Sequence, residues 1–285
     1  FKQKTAYEML RSLVGSEMCI RDSDDSWRQS GPPAGDPMKR FDSNAFFGHF
    51  PYWSVPHRTA DDLVSLMDRH GIERAVCLSL RGLFVDWRRG NEETLAAAAR
   101  HRGRLVPAVT ISPFLGGNGD ELRRLIRAGA RMVRLYPSFH NYRLDDPFVD
   151  DICASAAEGG VPVMIPTRIM MNWRFAPLSI DAVGVVIERH PATRFILSGP
   201  NYLVEYQALV RLMKRSPNVS YELSCLQGFH AVRNLVDEIG AERILFGTGA
   251  VLQYPACNVA KLENADVTEE QRRAIACDNI ARWVN

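Results

Sequence analysis

Arg134 lies inside the apolar run MVRLYP, and Glu222 lies inside VSYELS. Each run reads as a buried β-strand, where an unpaired charge is costly. Arg134 therefore needs a partner, either Glu222 or the carboxylate or phosphate of a ligand. The two readings coexist if the pair orients an anion site. His140 follows in SFHNY. An imidazole titrates near neutral pH, which suits a general acid or base; the plainer alternative is a hydrogen bond to the neighbouring loop. Thr167 and Arg168 close the run PVMIPTR, while Asn201, Ser224 and Thr248 close later runs. Each of these is a candidate ligand contact or else a turn or cap residue. Cys225 has no adjacent base to activate it. There is no Ser-His-Asp arrangement, and FGTGAV is not the strand-to-helix elbow that presents a nucleophilic serine.

These side chains need elements to hold them. Eight β-rich runs (RFDSNAFF, RAVCLSL, LVPAVTI, MVRLYP, PVMIPT, RFILSG, VSYELS and RILFGT) alternate with helix-length amphipathic segments. The helices are predicted near 59–70, 91–102, 119–128, 147–159, 179–190, 202–215, 228–239 and 268–284. Thr268 with Gln271 forms a capping box, and Thr59 with Asp62 a weaker one. Leu63, Leu66, Met67 and His70 share one face of the first helix, and Gly71 suits a left-handed stop. His70, His101 and His190 close helices, where they favour the C-terminal dipole. Near-continuous apolar strands indicate a parallel sheet buried on both faces. Eight such units over residues 41–285 predict a (β/α)8 TIM barrel, α/β in class. A doubly wound sheet is the competitor, but no Gly-rich phosphate loop follows the first strand. In such a barrel the chemistry sits where strands end. Those segments here, among them GHFPYWSVPHR, SFHNYRLDDP and RIMMNWRFAP, are rich in aromatics, Arg and His.

The bulk composition excludes several classes. The 285 residues are 46% hydrophobic and 24% charged, within the globular range, with a net charge of +2. No basic run exceeds two residues, which argues against a nucleic-acid or anionic-membrane surface. No apolar run approaches the roughly 20 residues of a membrane span. The cysteines at 19, 77, 153, 225, 257 and 277 are scattered and read as buried thiols in a reducing cytoplasm.

SFHNYRLDDP after MVRLYP, then GVPVMIPT, then ERILFGTGAVLQYP and the closing DNIARWV resemble, in order and spacing, the amidohydrolase-related family of metal-dependent hydrolases. The resemblance covers Phe41 to Asn285. It implies a (β/α)8 barrel with a catalytic metal, usually zinc, at the C-terminal mouth, and hydrolysis or decarboxylation of small molecules. It also implies an H-x-H pair on the first strand, a histidine ending each of the fifth and sixth strands, and an aspartate ending the eighth. Those positions hold Asn44 and Phe46, Pro166, Gly199, and Gly249. Only Asn44 could coordinate, through a neutral oxygen poorly suited to zinc. The chain thus resembles a divergent branch without the metal ligands. The expectation is no metal and no cofactor, and a mouth pocket for a small, anionic molecule formed by Asn44, Arg134, Thr167, Arg168 and Glu222, with His140 as the catalytic candidate. Two functions stay open: a metal-independent hydrolase or lyase, and a non-catalytic ligand-binding or partner-stabilising pseudoenzyme. A homodimer is compatible with either.

Residues 1–23 resemble translated sequencing-adapter read-through. Residues 24–40 read as a Pro/Gly/Asp-rich disordered lead-in, and Met38 as a candidate natural start.

Overall fold

The computed structural model describes residues 38–170, 176–201 and 203–284. The adapter-like segment, and the lead-in as far as residue 37, lie outside the described residues. Of residues 38–40, Met38 packs against the core, and Arg40 is buried with its guanidinium paired to Glu263.

Each apolar run becomes a strand. These are β1 (Phe41–Phe47), β2 (Arg74–Ser79), β3 (Leu105–Thr110), β4 (Met132–Arg134), β5 (Val163–Pro166), β6 (Phe195–Ser198), β7 (Val219–Glu222) and β8 (Ile244–Leu245). They form one sheet in the order β1-β2-β3-β4-β5-β6-β7-β8, with every successive pair parallel. Ser43 N donates to Phe246 O at 2.9 Å and Gly249 N to Asn44 O at 2.8 Å, so the segment continuing β8 closes onto β1. The result is the (β/α)8 barrel, with strands buried on both faces as the apolar runs required.

The predicted helices are present as α1 (Ala60–Arg69), α3 (Trp87–Arg100), α4 (Gly119–Arg127), α6 (Pro147–Glu158), α7 (Ile180–Arg189), α8 (Leu203–Arg215) and α9 (Ala231–Ile239). The helical stretch predicted over 268–284 is interrupted. It runs as α11 (Glu269–Arg273), a π-turn (Ala274–Asp278) and α12 (Asn279–Val284). Both capping boxes form, at Thr59 with Asp62 and at Thr268 with Gln271. Three helices lie where loops were expected: α2 (Leu80–Phe84), α5 (Pro137–His140) and α10 (Pro255–Glu263). The first two follow β2 and β4 directly, at the mouth. α5 and α10 each start on a proline, whose fixed φ and missing N–H suit a helix's first position.

One tie from the helical ring bears on the mouth. Asn91 of α3 donates from Nδ2 to Thr110 O at 2.8 Å and accepts from Thr110 N at 2.9 Å. Its amide thus acts as a further peptide unit at the end of β3.

Candidate ligand site at the barrel mouth

Glu222 is fully buried, and its carboxylate is saturated with donors. It accepts from Ser198 Oγ at 2.5 Å, Ser224 N at 2.5 Å, Ser224 Oγ at 2.9 Å and Asn44 Nδ2 at 2.9 Å. A Cβ on Gly247 would collide with this carboxylate, so the glycine is what makes room for it. Arg134, also fully buried, donates from Nη1 to Asn44 Oδ1 at 3.1 Å and Ala45 O at 3.3 Å. Its Nη2 donates to Val76 O at 2.9 Å and Ser43 O at 3.4 Å. Its guanidinium carbon stands 5.1 Å from the centre of the Phe46 ring, a cation–π contact.

Arg134 and Glu222 thus meet through Asn44 and not as a direct ion pair. The amide satisfies both charges at once, its oxygen facing the guanidinium and its nitrogen the carboxylate. The expectation that Arg134 turns its charge to a ligand is also narrowed. Both terminal nitrogens are engaged by protein acceptors, and Nε alone makes no well-formed hydrogen bond.

A second buried carboxyl, Asp42, was not singled out in the sequence although it lies within β1. It accepts from Asn44 N at 2.8 Å, from Thr248 N at 3.0 Å and from the Thr248 hydroxyl. Burial raises its pKa to about 6; the Thr248 and Asn44 hydrogen bonds oppose the rise and the Glu222 charge adds to it.

Above this network lies a cleft of about 420 Å³. Tyr52, Tyr136 and Phe139 supply aromatic walls, and Thr167, Arg168 and Met170 follow β5 on another side. Thr167 Oγ1 donates to Ser198 O at 3.2 Å, and Arg168 is ion-paired with Glu205. Among its described lining residues none carries a carboxylate, imidazole, thiol or amine.

The predicted site residues therefore separate. Thr167 and Arg168 line the cleft, while Asn44, Arg134 and Glu222 form the buried network. His140 does neither. Its Nε2 lies 3.2 Å from both Gly82 O and Leu83 O, joining α5 to α2, and burial lowers its pKa while those carbonyls oppose the shift. Cys225 is buried, and desolvation raises its thiol to about 11, far from a thiolate at neutral pH. Tyr136 was missed, though its position in MVRLYP, two residues after Arg134, places it on the same inward face.

The metal implied by the resemblance does not fit these residues. Asn44 already holds Arg134 and Glu222, Phe46 lies beside the guanidinium, and Pro166 offers no side-chain donor. A Cβ at Gly199 would stand 2.5 Å from Thr167 Oγ1 and 2.7 Å from Arg168 N, and one at Gly249 would meet the Gln253 amide. The space for longer side chains at both positions is already taken. Among the described residues no group of three His, Cys, Asp or Glu side chains could hold a metal ion.

An eight-stranded parallel barrel with alternating helices, and a cleft where β4 and β5 end, defines the class. The chain belongs to the amidohydrolase family, whose sequence profile matches residues 55–285. Solved structures share the fold at low identity. The 5-carboxyvanillate decarboxylase from Sphingomonas paucimobilis is 13% identical, with a TM-score of 0.68 over 87% of this chain and 99% of that one. The 2,6-dihydroxybenzoate decarboxylase from Rhizobium is 16% identical, with a TM-score of 0.64 over 87% and 98%. A 5-carboxyvanillate decarboxylase from Novosphingobium aromaticivorans, complexed with manganese and 4-hydroxy-3-methoxy-5-nitrobenzoic acid, is 14% identical, with a TM-score of 0.67 over 87% and 96%. No curated protein is a significant match to the chain. No helix among the described residues is long and apolar enough to cross a membrane.

Proposed function

We propose that this amidohydrolase-family barrel binds a small aromatic acid in its mouth cleft, without a metal ion at the positions the family uses, and that binding rather than turnover is its role. The carrying observation is the cleft itself. At about 420 Å³, with aromatic walls and Arg168 in the lining, it suits a planar organic molecule of modest size. The similarity to decarboxylases of carboxyvanillate and dihydroxybenzoate supports an aromatic acid as the ligand class.

The chemistry of the lining supports binding over turnover. A metal can lower the pKa of bound water from 15.7 to about 7, which at 1.36 kcal/mol per unit is on the order of 12 kcal/mol of hydroxide availability. The described lining residues offer no general base to replace it. A metal-free lyase is the second reading, and Tyr136 favours it. Its hydroxyl is the proton-bearing group in the described lining that stands nearest the end of β4, although burial raises its pKa and so makes it a weaker acid than an ordinary phenol.

Calorimetric titration of the purified protein with a panel of hydroxybenzoates and methoxybenzoates tests the first reading. The expected result is saturable binding that is lost when Met170→Trp fills the cleft. Binding that survives Met170→Trp would place the ligand elsewhere. Stoichiometric zinc or manganese in the purified protein would overturn the metal-free statement, and consumption of a panel acid by chelator-treated protein would favour the lyase.

A further inference from the structure

Beneath the cleft, β3 and β4 and the residues just past them carry four buried polar atoms without a well-formed hydrogen bond. They are Thr110 Oγ1, Ser112 Oγ, Arg134 Nε and the Tyr136 hydroxyl. None of the four residues is more than 1% exposed. Native proteins leave few such groups unpaired, so a set at one place needs an account.

Their placement follows from register. Thr110 pairs with Arg134 across the parallel β3–β4 ladder, so both side chains take the same face, the face on which Arg134 reaches Asn44. Ser112 and Tyr136 each lie two residues further on. Tyr136 also lines the cleft, which connects the group to it. Arg134 acts on the Tyr136 phenol through its charge and through a side-chain hydrogen bond, both opposing the rise that burial causes, so the two groups lie within reach of each other.

The donor set has a clear chemical bias. All four groups can donate: three are hydroxyls, which can also accept, and the fourth is a guanidinium N–H, which cannot. The nearby carboxylates do not serve them: Glu222 is occupied by Ser198, Ser224 and Asn44, and Asp42 by Thr248 and Asn44. At the cleft wall Arg168 is already paired with Glu205.

We infer that this group is an anion subsite, which takes the carboxylate of the cleft ligand on the Tyr136 hydroxyl and Arg134 Nε, with Thr110 and Ser112 completing the donor set. The inference rests on the proposed reading of the cleft and goes further by naming where the acid group goes: down into the barrel and not towards Arg168.

Titration with benzoate and with its neutral isostere benzamide tests it. Benzoate is expected to bind at least about tenfold more tightly, the worth of one hydrogen bond to a charged group. Tyr136→Phe keeps the ring and removes only the donor. It is expected to weaken benzoate about tenfold while leaving benzamide unchanged, with Thr110→Val acting the same way. Urea midpoints of both variants check that they fold; Arg134 is left intact because it ties β1 to β2. Equal binding of benzoate and benzamide, or a Tyr136→Phe protein that holds benzoate as before, overturns the subsite. If neither compound binds, the cleft reading fails first. Crystals soaked in bromide then decide the subsite alone. An anomalous peak within hydrogen-bond reach of Arg134 Nε and the Tyr136 hydroxyl supports it, and an ordered water there instead overturns it.

Discussion

Asn44 accepts from one buried charge and donates to another, and both charges depend on it. Removing its side chain leaves Arg134 Nη1 with only Ala45 O and takes one donor from Glu222. Asn44→Ala is therefore expected to cost about 3 kcal/mol, read as a lowered urea midpoint; a loss under about 1 kcal/mol would mean that neighbours or water take over its role. The need for partners at Arg134 and Glu222 was legible in the sequence, because charges within apolar strands demand them. The bridging amide was not, because it comes from a strand 90 residues from Arg134 and 178 from Glu222. Asp42 carries a separate, pH-dependent prediction. Its pKa in the folded protein, about 6, lies above the ordinary 3.8, so folding favours its protonated form. Its contribution to stability is full below pH 3.8 and is lost as pH rises through 6, a change of roughly 3 kcal/mol. Asp42→Asn lacks this dependence. Relative to wild type, the variant should gain stability between pH 4 and about pH 6 and level off above it in paired urea titrations. A constant difference across that range would show that Asp42 ionises in the folded barrel as it does in water.

Between elements, the clearest device is the Asn91 amide of α3, which pairs with both backbone groups of Thr110 where β3 ends. Asn91→Ala removes two buried hydrogen bonds and strands the N–H and C=O they served. The expected cost is about 2–3 kcal/mol in a denaturation curve. Because Thr110 belongs to the inferred anion subsite, the same variant should also weaken benzoate more than benzamide. A destabilised protein with unaltered benzoate affinity would separate Thr110's backbone from ligand binding. The long helices were legible from spacing and caps, since each turns an apolar stripe to the barrel. α2 and α5 were not, because five and four residues are too few to display a 3.6-residue period. α10 escaped for another reason. It buries Pro255, Asn258 and Leu262, so a proline start and a polar asparagine break the apolar stripe on its inward face. Two of these three, α2 and α5, follow directly on strand ends at the mouth, which is why the site was harder to read than the barrel.

For the molecule as a whole, parallel strands covered on both faces must be apolar throughout, and eight such runs with helices between them left little choice of architecture. The same packing bears on where the fold starts. Phe41 is 1% exposed with the Arg74 guanidinium carbon 4.3 Å from its ring centre, and Arg40 is buried, bonding Gly71 O at 3.3 Å and pairing with Glu263. Met38 packs on the same core, and residues Met38–Asn285 form one unit. A chain beginning at Met38 is therefore expected to unfold at the same urea concentration as the full sequence and to bind the same panel of acids. A chain beginning at Ser43 loses the Phe41 ring, the Arg40–Glu263 pair and the Asp42 carboxyl that holds Thr248. With a buried aromatic alone worth about 3–5 kcal/mol, it should populate unfolded states at room temperature. Circular dichroism and urea titration of the two truncations give the answer. A Met38 chain that unfolds at lower urea than the full sequence would mean that residues before 38 contribute to the barrel, and a stable Ser43 chain would mean that the first strand is anchored from within the sheet alone.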